Sequence, residues 1–154
     1  MKPGPQLIAG GLHRDARGEV LHVNAFDFAG VDRGYAVRPA ETGTVRGWVG
    51  HRRETKWFFV LRGALMVGVV EPDVWPVPAR VLPVRTFELR DTVPAVLRIP
   101  GGYFTASVAL EPGSIFMVYS TGRIEQAGED DFRLPPDHWP WPFPSAKAPT
   151  GPQL

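Results

Sequence analysis

The 154-residue chain has no cysteine. That absence removes disulfides, thiolate zinc sites, iron–sulfur clusters and cysteine nucleophiles together. No apolar stretch approaches the ~18 to 20 residues needed to span a membrane as a helix, so no membrane partner is expected. Only four histidines occur, His13, His22, His51 and His138, and none are spaced His-x-His or i, i+4. A three-ligand metal centre is hard to build from them, so neither a metal nor another cofactor is expected. Gly-x-Gly-x-x-Gly, the phosphate-loop pattern and the Gly-x-Ser-x-Gly elbow are also missing, which withdraws the usual signals of dinucleotide and triad chemistry. The net charge is only +1, which gives little attraction for nucleic acid. Met1 to Gly11 lacks the charged, apolar and small-residue succession of a secretory signal, and a cytoplasmic address is the expectation.

Proline and glycine are abundant, 17 of each, or about 11% of the chain apiece against usual values near 5% and 7%. They punctuate the chain every 8 to 12 residues or so, with no long run at helical spacing, a pattern that predicts an all-β domain of short strands. Nine strands are expected: Glu19–Phe28, Tyr35–Arg38, Val45–His51, Lys56–Leu61, Ala64–Val70, Arg85–Leu89, Ala95–Ile99, Tyr103–Leu110 and Ile115–Thr121. Arg62-Gly63 is the strongest hairpin turn. Glu71 to Pro83 holds four prolines and should be irregular. Gly122 to Arg133 is the one stretch with room for a turn of helix.

Residues 1–133 are expected to form the barrel and residues 134–154 a Pro-rich C-terminal tail. The tail's alternating prolines preclude a regular helix or central strand. Trp139, Trp141 and Phe143 would be costly to leave in water, so the front of the tail should lie on the barrel or on a partner subunit. Ser145 to Leu154 should be loose.

Charge is unevenly distributed. Arg38 to Arg62 contains six basic and two acidic residues, a net +4, and Glu125 to Asp137 has five acidic residues against Arg133, a net −4. The basic cluster suits a small anion, and equally a solvated face or an intersubunit salt-bridge region.

Alternate residues of a strand share a face. If Val49, Phe58 and Val60 line the interior, His51 and Lys56 do so as well, near one end. A histidine and a lysine placed there provide a proton-transfer group and a cation for an oxyanion or enolate. The alternative is that both sit at the rim in water. Trp48 and Trp57 are candidates to stack on a base or sugar ring, although strand aromatics more commonly fill cores or interfaces.

The order of four short motifs resembles the dTDP-4-dehydrorhamnose 3,5-epimerase group of cupins. They are Asp15-x-Arg17-Gly18, Val45-Arg46-Gly47, Ile99-Pro100-x-Gly102, and an acidic stretch closing on Trp139-Pro140; the similarity runs over residues 12 to 142. The chain is also similar to the dTDP-4-keto-6-deoxyhexose 3,4-ketoisomerases, which carry Arg-Gly-x-His-x-His at a comparable point. The resemblance implies a cupin-type double-stranded β-helix, or jelly roll. It also implies a metal-independent isomerase that acts on a dTDP-4-keto-6-deoxyhexose by moving a proton α to the ketone.

Carried over position by position, the epimerase base falls on Val49 and a further family histidine falls on Thr105, so both are replaced. His51 matches the second histidine of the ketoisomerase pattern. Lys56 precedes Gly63 by the family's seven residues. The acid tyrosine aligns at Val118 or Tyr119, with Tyr103 in reserve, and a one-residue slip would turn it to the wrong face. The expected set is therefore His51, Lys56, Tyr119 and Tyr103 for catalysis, with Arg17, Arg38, Arg46 and Trp48 for substrate. The expected partners are a nucleotide sugar and a second copy of the chain in a homodimer, whose first strands cross between subunits in the enzymes it resembles. Two alternatives stay open: a cupin that binds a nucleotide sugar or other small anion without turnover, and a structural cupin whose interior is filled by Phe58, Phe104 and Phe116.

Overall fold

The computed structural model describes residues 1–142 and 146–152. Its strands are β1 (Gln6–Ala9), β2 (Gly11–Asp15), β3 (Gly18–His22), β4 (Arg33–Val37), β5 (Arg46–His51) and β6 (Lys56–Arg62). They continue with β7 (Ala64–Val70), β8 (Arg85–Arg90), β9 (Ala95–Ile99), β10 (Tyr103–Ala109), β11 (Ile115–Ser120) and β12 (Phe132–Arg133). A short 3₁₀ helix, Ile124–Glu129, precedes β12.

Two five-stranded antiparallel sheets face each other, in the orders β1-β9-β6-β11-β4 and β12-β5-β10-β7-β8, and β2 and β3 form a separate hairpin. This is a jelly roll. The β6–β7 connection turns at Gly63, where φ is +81° and where a side chain would collide with Ser114. Only glycine suits both demands. Asp91 accepts the Gly63 N–H at 2.9 Å and holds the turn.

Two expectations change. The strand expected over Glu19–Phe28 stops at His22. Beyond it the Phe26 N–H bonds back to the Val23 carbonyl, and the Phe26 and Phe28 rings fold onto Tyr119 at 5.6 and 5.3 Å. Three further strands, β1, β2 and β12, carry too little alternation to be read in isolation. They are strands because β9, β3 and β5 supply their hydrogen bonds.

Residues that face each other across the sheets form the main core, among them Phe58, Val60, Val67, Leu97, Phe116 and Val118. The outer face of the second sheet carries another cluster, Trp48, Val70, Phe104, Ala106 and Val108. The irregular segment of residues 71–84 covers it with Trp75, Leu82 and Val84, and the chain beyond β12 with Leu134, Trp139 and Trp141. Trp139 is 0% exposed, meets Trp48 edge-on at 5.1 Å, and donates its indole N–H to the Ala79 carbonyl at 2.9 Å. Phe143 lies outside the described residues. Lys147 is not loose: its N–H and carbonyl bond to the Gly43 carbonyl and the Val45 N–H, both at 2.8 Å.

Candidate active site

His51 ends β5 and Lys56 begins β6, so a four-residue connection brings both to one end of the barrel. Lys56 pairs in register with Ile99, a core residue. His51 pairs with Tyr103, also in the core. Opposed residues share a face, so both head groups belong to the interior. Further along, that interior is shut by Phe58 and Phe116, whose rings lie 6.2 Å apart. At the His51 end the interior positions Arg33, Tyr35, Val49, Lys56 and Thr105 are all partly exposed. Solvent therefore reaches interior-facing side chains at that end.

The connecting loop delivers a buried carboxylate between these groups. Glu54 is 7% exposed. Its Oε2 lies 3.7 Å from His51 Nε2, and its Oε1 lies 3.9 Å from Lys56 Nζ and 3.7 Å from Arg33 Nη2. The Ser120 hydroxyl donates to the same Oε1 and accepts the Gly122 N–H at 2.9 Å. A buried carboxylate needs such partners, because desolvating it unpaired is prohibitive. Asp130 fixes the loop from outside: its carboxylate accepts the N–H groups of Arg52, Arg53 and Glu54 at 2.8, 3.0 and 2.9 Å.

Burial, and then the Lys56 charge, push His51 down to about 4, against the opposing pull of Glu54, Asp130 and Asp131. The imidazole is therefore neutral at pH 7 and can accept a proton. Burial raises Tyr103, Glu71 adds to the rise, and Arg85 opposes it. The Tyr103 hydroxyl donates to the Pro3 carbonyl at 3.4 Å, and the Lys2 ammonium sits 3.9 Å above its ring.

The other expected residues are scattered. Tyr119 pairs with Trp57 and Gly34 on the face opposite Lys56 and packs against Phe26 and Phe28. The interior position is taken by Val118, so Tyr119 does not reach the cluster. Trp48 is 0% exposed under Trp139 and Trp141, away from the interior. Phe104 lies on that outer face as well, stacked on Trp75 at 4.8 Å, so it does not plug the barrel. Arg17 sits at the tip of the β2–β3 hairpin, bonded to Asp15 at 2.6 Å. Arg38 and Arg46 are exposed, and neither meets a carboxylate among the described residues. No group of three His, Asp or Glu side chains suited to a metal occurs among the described residues.

Sequence reasoning missed Glu54, Arg33, Ser120 and Asp130. For Ser120 the available signal was strand parity, since it shares a face with the apolar Val118 and Phe116 of the expected strand Ile115–Thr121; Arg33 lies before the expected strand Tyr35–Arg38 and gave none. For Asp130, 76 residues from Glu54, there was none.

The architecture defines a cupin-type jelly roll. No protein-family description and no curated protein matches the chain. Among solved structures it shares the fold of the dTDP-sugar epimerases and ketoisomerases. The dTDP-4-dehydrorhamnose 3,5-epimerase of Sulfolobus tokodaii is 21% identical, with 97% of this chain and 88% of that one covered at a TM-score of 0.74. ChmJ, a 3'-monoepimerase of Streptomyces bikiniensis, seen as a double mutant in complex with dTDP, is 15% identical over 97% and 83%, at 0.75. The 3,4-ketoisomerase of Thermoanaerobacterium thermosaccharolyticum, in complex with TDP, is 17% identical over 90% and 93%, at 0.66.

Proposed function

We propose that this protein is a sugar-nucleotide isomerase or epimerase that moves a proton α to the ketone of a dTDP-4-keto-6-deoxyhexose. The observation that carries the reading is the meeting of His51 and Lys56 on the two oxygens of Glu54 at the solvent-reached end of the barrel. Neutral His51 is the base. As the C–H bond breaks, its electron pair moves toward the ketone oxygen, where the Lys56 ammonium offsets the growing charge. Glu54 compensates the imidazolium that forms. Tyr103, paired opposite His51, is the other expected tyrosine and serves as the acid. Arg17 and the exposed Leu12 and Val20 of the β2–β3 hairpin suit coverage by a second copy in a homodimer.

The test is to incubate the protein in D₂O with dTDP-4-keto-6-deoxyglucose and follow the ring protons by NMR. Deuterium is expected to enter α to the ketone and to be lost in His51→Ala. If no deuterium enters between neutral and mildly alkaline pH, the reading fails.

A further inference from the structure

The two oxygens of Glu54 have different surroundings. Oε1 is occupied by the Ser120 hydroxyl, Arg33 and Lys56. Oε2 faces His51 Nε2 at 3.7 Å and, on its other side, Gly122, where an added Cβ would stand only 2.6 Å away. Both Glu54 and Gly122 line a cleft of about 260 Å³ with Arg53, Thr121, Gln126 and Asp130. The carboxylate thus stands between the barrel interior and a second, solvent-bearing space, and glycine at 122 leaves that side of it uncovered.

His51 is itself 7% exposed. A ligand seated at the solvent-reached end of the barrel would close off what water it has. A proton taken from a sugar carbon then needs another way to the solvent.

We propose that Glu54 carries protons between His51 and the water of this cleft, forming an exit separate from the opening used by substrate. This rests on the proton-transfer reading above. Imidazolium at His51 passes its proton across the Nε2 to Oε2 gap, after a small closing movement or over one water, and returns to neutral imidazole. Glu54, now a neutral acid, releases the proton to cleft water and becomes carboxylate again. The reverse sequence reloads the site, with no change of oxidation state. Ser120, Arg33 and Lys56 hold Oε1 still while Oε2 exchanges.

The experiment follows the ring N–H of His51 in protein labelled with ¹⁵N-histidine, measuring exchange with water at pH 7. His138 is the internal control: it is buried, and its Nε2 lies 3.0 Å from the Pro78 carbonyl, which can only accept a hydrogen bond. Gly122→Ala and Gln126→Trp both fill the cleft, the second without building on the residue that abuts Oε2. Each is expected to slow His51 exchange by about ten-fold and to leave His138 unchanged. Unchanged His51 exchange in either variant overturns the proposal. Saturating dTDP is expected to leave wild-type His51 exchange within about two-fold, and dTDP that binds yet quenches it overturns the proposal too. The isomerase reading fails separately, by the absence of deuterium in the sugar while the cleft variants still slow His51 exchange.

Discussion

Asp130 accepts the backbone N–H of Glu54 at 2.9 Å across 76 residues of chain. The acidic segment after the 3₁₀ helix therefore shapes the loop that places the buried carboxylate. Burial alone would raise Asp130, but the N–H groups of Glu54, Arg53 and Arg52, together with His51, outweigh it and hold the carboxyl below its usual value. Asp130→Ala removes three charge-assisted bonds at once. A loss of roughly 3 kcal/mol is expected, read by urea unfolding, together with slower deuterium entry into the sugar.

Acid should weaken the protein in two stages. His51 is lowered in the fold to about 4, whereas in the unfolded chain it titrates near ~6.5. Between these values the unfolded state binds more protons, so stability is full above the upper one and falls as pH drops toward the lower one, by on the order of 3 kcal/mol. Asp130, whose folded value is depressed, adds a further loss as pH falls through it. Unfolding curves at a series of pH values test this, and in His51→Gln the first stage should vanish.

Lys56→Met should raise the His51 pKa. Burial is the larger cause of its depression and persists in the variant, but the Lys56 charge is the next cause and is removed. The C2 proton of His51, titrated by NMR, should move its midpoint upward toward the ordinary imidazole value. A midpoint that stays put or falls contradicts the electrostatic account of the site.

Trp139→Ala should cost about 3 to 5 kcal/mol, the usual loss for deleting a large buried aromatic, because Trp139 fills the space beside Trp48 and Phe104. Thermal unfolding should show a single lowered transition. A near-neutral result would mean that the segment after β12 contributes little to the fold.

Local pattern carried much of the fold. Period-two alternation groups His51 with Val49 and Lys56 with Phe58 and Val60, and Arg62-Gly63 marks the hairpin, because both depend only on neighbours in the chain. A repeat of two says which side chains travel together, but not which of the two faces closes over. That is decided by pairing with strands far away in sequence. The register of β11 against β4 and β6 turns Tyr119 outward and Val118 inward, and the packing of Trp139 makes the Trp48 side an interior of its own. The place of Glu54 is likewise a tertiary matter: a loop has no periodicity to read, and its conformation is held by Asp130, which comes alongside only when β12 joins β5.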